Sequence, residues 1–275
     1  MLSVGVLSWK AHATLRATLA TLAPLRDAAG EAVVFFNEIT DADRAIAREF
    51  GFRPEGSREN LGILGGTLGL VRSLHGDEAI ALQNDNPLRA DAETMSRRLA
   101  EARGILAAGK ADIVRLRDRF EPGFSDAPKF LRYWPGEDGR DTLARRLRRL
   151  LRPAKALRMA GRAPAVLKDP AAAFPRIFSR CGDAFTASCR YVDYTDQPYL
   201  ARRRLMLELL EWADAHKEGT STLNGLYVPE IVLNGSGRWR RLGLTVAVSD
   251  GIFAHARIDG SFRPGNPAFD RSLAK

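Results

Sequence analysis

The chain has 275 residues, 45% of them hydrophobic and 27% charged, which supplies material for a sizeable core and excludes a disordered chain. No run approaches the roughly 20 apolar residues of a membrane span, and the opening MLSVGVLSWK has no basic stretch ahead of its apolar segment, so a cytoplasmic protein is expected. The formal charge of +9 is concentrated in residues 140–168, which hold ten Lys or Arg against the single acid Asp141 and leave the rest balanced. Cys181 and Cys189 are too few for a disulfide framework and lack the spacing of a zinc site, so both are expected as thiols.

Residues 3–7 (SVGVL) predict a strand, and Leu15, Leu19 and Leu22 predict a helix stopped by Pro24. AVVFF at 32–36 predicts a second buried strand, after which Thr40, with Asp43 three residues on, opens a helix that ends at Gly51. Beyond a weakly extended piece at 52–54, Leu64, Leu68 and Val71 share one face of a glycine-rich helix. AIAL at 79–82 is the central strand; Asp91 then caps a helix carrying Met95, Leu99, Ala102 and Leu106, ended by Gly109, and DIVRL at 112–116 is a further strand. This alternation predicts an α/β fold, a mostly parallel sheet with helices on both faces.

The second half reads differently. Residues 121–139 are rich in Pro, Gly and aromatics without a period, which predicts a long loop or crossover. In the basic segment, Leu143, Leu147, Leu150, Leu151 and Leu157 fall on one arc of a helix and Arg145, Arg148, Arg149, Arg152 and Lys155 mostly on the other, with a kink or break at Pro153. A basic amphipathic helical segment of this kind is expected to meet an anionic membrane surface. Nucleic acid is not expected, because no aromatics interleave the basic residues and no DNA-binding motif is present. A helix is expected over 198–216, and two closing strands over 242–248 and 252–258.

The central strand stops abruptly at Gln83, Asn84, Asp85, Asn86 and Pro87. A carboxylate flanked by amides at a strand end suits a metal and a phosphate, since open α/β sheets bind ligands beyond the carboxyl ends of their strands. The same residues also suit a simple polar turn.

In their order, the opening strand with Ser8 and Trp9, the second strand with Asn37 and Glu38, the loop Asn60-Leu61-Gly62 and the LQNDN turn resemble family 2 glycosyltransferases. The resemblance covers about residues 1–118 and implies a GT-A, Rossmann-like fold. By it, Ser8, Trp9, Glu38, Asn60, Gly62, Asn84 and Asp85 would bind a nucleotide-sugar donor, and Asp85 would hold a divalent metal, Mn or Mg. Looser matches follow in Pro229-Glu230, in Arg240 and Arg241 with Gly243, and in Ile252-Phe253-Ala254-His255; they imply Glu230 as general base and His255 as a second metal ligand. Two departures stand out: the usual acid after the second strand is Asn37 or displaced to Glu38, and the first acid of the metal motif is Gln83. One firm carboxylate remains, so a metal is expected to be weakly held without donor. One domain spans 1–275, with a donor-binding half at 1–118, the loop and basic segment at 119–184, and an acceptor and catalytic half at 185–275.

The implied activity is transfer of a sugar from a nucleotide-sugar to a saccharide or lipid-linked acceptor, with inversion, for envelope polysaccharide or glycolipid synthesis at the inner face of the cell membrane. The alternative is a non-catalytic binding module using its basic helix on membrane or nucleic acid, or a degenerate relative, as the missing acids would allow. Glu211 and Asp214 are rival bases that also read as a solvated helix face. Gly62, Gly65 and Gly66 suit either close approach to the donor or tight helix packing. His255 reads as ligand or core histidine; His12 and His75 read as surface histidines, and at least two of Trp134, Trp212 and Trp239 as core.

Overall fold

The computed structural model describes residues 1–120, 126–196, 198–223 and 225–256. Within them one sheet of nine strands is formed by β1 (Leu2–Ser8), β2 (Glu31–Phe36), β3 (Arg53–Gly56), β4 (Glu78–Gln83), β5 (Ile113–Arg117), β6 (Ser179–Cys181), β7 (Ala184–Ser188), β8 (Tyr199–Arg202) and β9 (Thr245–Phe253). Their spatial order is β3-β2-β1-β4-β8-β5-β9-β7-β6. β3, β2, β1 and β4 run parallel, β5 pairs parallel with β9, and β8 lies antiparallel between β4 and β5. The hairpin of β6 and β7 completes the far edge.

The inner strands are nearly continuous apolar runs because both faces of the sheet are covered. Successive side chains alternate between two cores, as the two-residue period of a strand requires. Val33, Phe35, Ala79 and Ala81 enter one core, packed by the helices Gly62–Ser73 and Arg203–Ala215 through Leu64, Leu68, Val71, Met206 and Leu210. Val34, Phe36, Ile80 and Leu82 enter the other, packed by His12–Thr21, Asp41–Glu49 and Ala92–Ala107 through Leu15, Leu19, Ile46, Met95 and Leu99. The expected starts are also present: Thr40 and Asp43 form a reciprocal capping box, and the Asp91 carboxylate accepts from the Thr94 amide.

Four expectations are corrected. Pro24 does not end a helical region but sits in the first turn of a second helix, Ala23–Ala28, where its missing amide donor costs nothing. Residues 199–202 are β8 rather than helix: Tyr199, Leu200 and Ala201 fill a slot between two strands already running the same way, so tertiary pairing overrides a helical pattern that truly begins at Arg203. The two closing strands are one, β9, in which Ser249-Asp250-Gly251 is a bulge and not a hairpin turn. Gly251 there has φ of +74°, and a Cβ on it would lie 2.2 Å from the Arg117 backbone. The proposed end of the second strand, 257–258, lies outside the described residues, as do 121–125 of the expected loop, within which Asp126–Leu131 is a short helix instead. Finally, β6 and β7 were not anticipated.

The basic segment divides at the expected proline into two helices, Leu143–Leu151 and Pro153–Ala160. Among the described residues no helix is long and apolar enough to cross a membrane.

Candidate functional site

A cleft of about 1230 Å³ opens beyond the carboxyl ends of β1, β2, β4 and β5. Parallel strands deliver their last residues to the same edge, which explains why Ser8, Asn37, Gln83 and Asp118 meet there although they are distant in sequence. Trp9, Asn60, Gly62, Asn84, Glu230 and His255 also line it. Most of the residues singled out by sequence are therefore brought together.

Along the ends of β1, β2 and β4, Asn84 Nδ2 donates to Ser8 Oγ at 3.2 Å, tying the ends of β4 and β1. Asn60 Oδ1 accepts from the Gly62 amide at 2.9 Å, and Gly62 adopts φ of +71° at the start of its helix, a conformation that favours glycine. Asn37 Nδ2 donates to the Gly62 carbonyl at 3.0 Å. Glu38 is not part of the cleft wall; its carboxylate accepts from Trp9 Nε1 at 2.7 Å and pairs with Lys10 at 2.9 Å, orienting the indole that does face the cleft. The Trp9 hydrogen bond is the chief cause of a lowered Glu38 pKa. Gly65 and Gly66 serve packing: a Cβ on Gly66 would meet Asn37 Nδ2 at 2.8 Å and Leu7 Cδ1 at 2.9 Å.

The polar turn expected after β4 is present. Asn86 Oδ1 accepts from the Gln83 amide at 2.8 Å and the Asn86 amide donates to the Gln83 carbonyl at 3.1 Å, which closes the turn. Asp85 is fully buried beneath the cleft wall, with Oδ2 3.3 Å from His255 Nε2. The Ala256 amide donates to the Asp85 carbonyl at 2.9 Å and the Ala254 amide to the Pro87 carbonyl at 3.0 Å, so the chain leaving β9 is laced to this turn and carries His255 with it. Among the described residues no group of three or more His, Cys, Asp or Glu is placed to hold a metal. The pair nevertheless fits a divalent cation completed by substrate oxygens, because ligands at about 2.1 Å from one octahedral ion lie about 3 Å apart when adjacent. His255, 42% exposed, is the open side of that pair.

A second cluster of charge lies beside this turn and is bonded to it through Gln83. Glu230 stands in the first turn of the helix Pro229–Gly235, and its carboxyl is pushed up to about 7, first by burial and then by the neighbouring charge of Asp196, against the opposing pull of Arg115. Asp196, half-buried and also raised, chiefly by loss of hydration, hydrogen-bonds Glu230 and accepts from Gln83 Nε2 at 3.1 Å. Arg115 donates to the Asp193 carbonyl; burial lowers it to about 10. Two carboxyls held this close and partly withdrawn from water cannot both ionise easily.

Asp196, Asp193, Arg115 and Arg162 are cleft residues that sequence reasoning did not single out. Arg162 pairs with Asp126 and, at 3.0 Å, with Asp193. The available signal was the run Tyr191-Val192-Asp193-Tyr194-Thr195-Asp196, two acids among aromatics just before an element boundary. The rival bases are elsewhere: Glu211 pairs with Arg72 at 3.1 Å and Asp214 with Lys217 at 2.8 Å, neither in the cleft wall. Trp239 is core, donating to the Val192 carbonyl at 2.7 Å; Trp212 stacks on His216 and Trp134 donates to Ala156.

The fold is an α/β sheet with a cleft at its strand ends, and two neighbouring acids, Asp196 and Glu230, stand in the cleft wall. No family model and no curated protein matches the chain. It is similar to solved structures of glucosyl-3-phosphoglycerate synthase from Mycobacterium tuberculosis, among them a complex with Mn2+, uridine-diphosphate and glucosyl-3-phosphoglycerate, at 16% identity and a TM-score of 0.47 over 100% of this chain and 75% of that one. S. aureus TarS 1-349 is similar at 13% identity and a TM-score of 0.47, over 93% of this chain and 60% of that one.

Proposed function

We propose that this chain is a nucleotide-sugar-dependent glycosyltransferase, acting as a single catalytic unit on a hydroxyl of a saccharide or lipid-linked acceptor. The observation that carries the reading is Glu230, a carboxyl raised to about 7 in the wall of a cleft large enough for a nucleotide-sugar. A base of that pKa is poised to exchange protons near neutrality, where general base catalysis is most effective. In the step proposed, the acceptor hydroxyl gives its proton to Glu230, its oxygen bonds to the anomeric carbon, and the sugar–phosphate bond breaks with its electron pair leaving on the nucleoside diphosphate. One displacement of this kind inverts the anomeric centre.

Ser8, Trp9, Asn37, Asn60, Gly62 and Asn84 would hold the nucleotide, with Trp9 oriented for stacking by Glu38. Asp85 and His255 would hold Mn or Mg, whose contribution when bound is to offset charge on the departing diphosphate. Asp196 keeps Glu230 protonatable and therefore positions the reaction in pH without touching the acceptor.

The test is a screen of nucleotide-sugars for hydrolysis and transfer, with and without Mn, beside thermal stabilisation by a panel of nucleoside diphosphates. Transfer that depends on Glu230 is expected. Stabilisation without turnover would instead favour the non-catalytic binding module, and neither effect with any nucleotide would end the reading.

A further inference from the structure

The helix Leu143–Leu151 is held to the protein by two half-buried arginines, Arg145 and Arg149. Arg145 Nε donates to the Leu131 carbonyl at 2.7 Å. Arg149 donates to the Tyr133 carbonyl at 2.7 Å, pairs with Asp141 at 2.6 Å and lies over the Trp134 ring. These arginines bond the last carbonyl of the helix Asp126–Leu131 and a carbonyl just beyond it. No residue of the Leu143–Leu151 helix is buried, and its leucines face away from the body: Leu143 is 73% exposed, Leu150 75% and Leu151 76%. With Leu147 they occupy an arc of about 100° on the helix surface. Leu157 extends the patch onto the next helix, where Ala156, Met159 and Ala160 are the buried side.

We infer that this face docks on an anionic lipid surface. A stripe of leucines facing solvent marks an interaction site in a protein whose other leucines are largely buried. What borders the stripe identifies the occupant. Arg146, Arg148, Arg152, Lys155 and Arg158 are exposed around it, and Asp141, the segment's single acid, is already engaged by Arg149 and Arg146. Leucines that enter the acyl boundary while flanking cations reach the headgroups are the pattern of an interfacial helix. A second copy on the same face would oppose two strongly cationic segments, and nucleic acid would meet leucine where it needs charge.

The segment continues through Gly161, Arg162, Pro164 and Ala165 into the cleft wall. Docking would hold the cleft near the membrane, where a lipid-linked acceptor is found; that consequence alone rests on the transferase reading.

The test is cosedimentation with vesicles of phosphatidylglycerol and phosphatidylcholine or of phosphatidylcholine alone. Preference for the anionic vesicles, weakening as salt shortens the screening length, is expected. Leu150→Ser with Leu151→Ser should reduce binding at least roughly tenfold; both positions are exposed, so the fold and hydrolysis of a water-soluble donor should be unchanged. Equal binding to neutral vesicles, or unaltered binding by the double variant, would overturn the inference. So would an absence of vesicle binding beside a dimer that the double variant dissociates. None of these outcomes requires turnover, so failure here and failure of the transferase reading are distinguishable.

Discussion

Glu230→Gln tests the energetics of the cleft as well as its chemistry. The wild-type carboxyl rises from 4.5 to about 7 on folding, which at about 1.4 kcal/mol per pH unit corresponds to about 3 kcal/mol. A carboxyl with a raised pKa holds its proton more tightly in the folded state. Its contribution is therefore fully present below about 4.5 and lost as pH rises through about 7. Glutamine keeps the shape and never ionises, so the variant should match the wild type near pH 4.5 and exceed it by up to about 3 kcal/mol above pH 7. Denaturant unfolding of both proteins across that range measures the difference. Turnover should meanwhile fall by at least roughly two orders of magnitude with donor affinity little changed, and wild-type kcat/KM should rise to a plateau above about pH 7. A stability difference independent of pH would refute the raised carboxyl, and near-normal turnover would remove Glu230 as the base.

Three further outcomes are expected. Asp196→Asn removes the charge that is the second cause of the Glu230 rise, so the pH profile of kcat/KM should move to lower pH; an unmoved profile would assign the rise to burial and the charge of Asp193. Mn and nucleoside diphosphate should bind with positive coupling in calorimetric titrations, lost in Asp85→Ala and reduced in His255→Ala, whereas nucleotide affinity indifferent to Mn in the wild type would defeat the metal site. Arg119 donates to the carbonyls of Pro164, Leu167 and Lys168 and to Asp250, so Arg119→Ala should lower unfolding stability by about 3 kcal/mol; a loss below about 0.5 kcal/mol would show that water replaces those bonds.

The local code of the chain determined much of the fold. Apolar runs at β1, β2, β4 and β5 and the spaced leucines of the helices between them were legible because each element needs its own buried face, and the caps at Thr40 and Asp91 because a cap spans only three residues. That Ser8, Asn37 and Gln83 would meet in one cleft was legible for the same reason: strand ends carry their polar residues with them, and parallel strands end together. Tertiary structure alone decided the rest. Tyr199–Arg202 becomes a strand only because β4 and β5 leave a gap of one strand's width. Asp196 becomes a partner of Glu230, 34 positions away, only when β8 and the Pro229–Gly235 helix are in place, and neither acid has an unusual pKa until burial strips its water. The leucines of Leu143–Leu151 show the limit most plainly. A sequence pattern fixes that a helix has two faces, but which one turns outward depends on what the body offers, and here Arg145, Arg148 and Arg149 bond the carbonyls of Leu131, Arg132 and Tyr133 while the leucines face solvent.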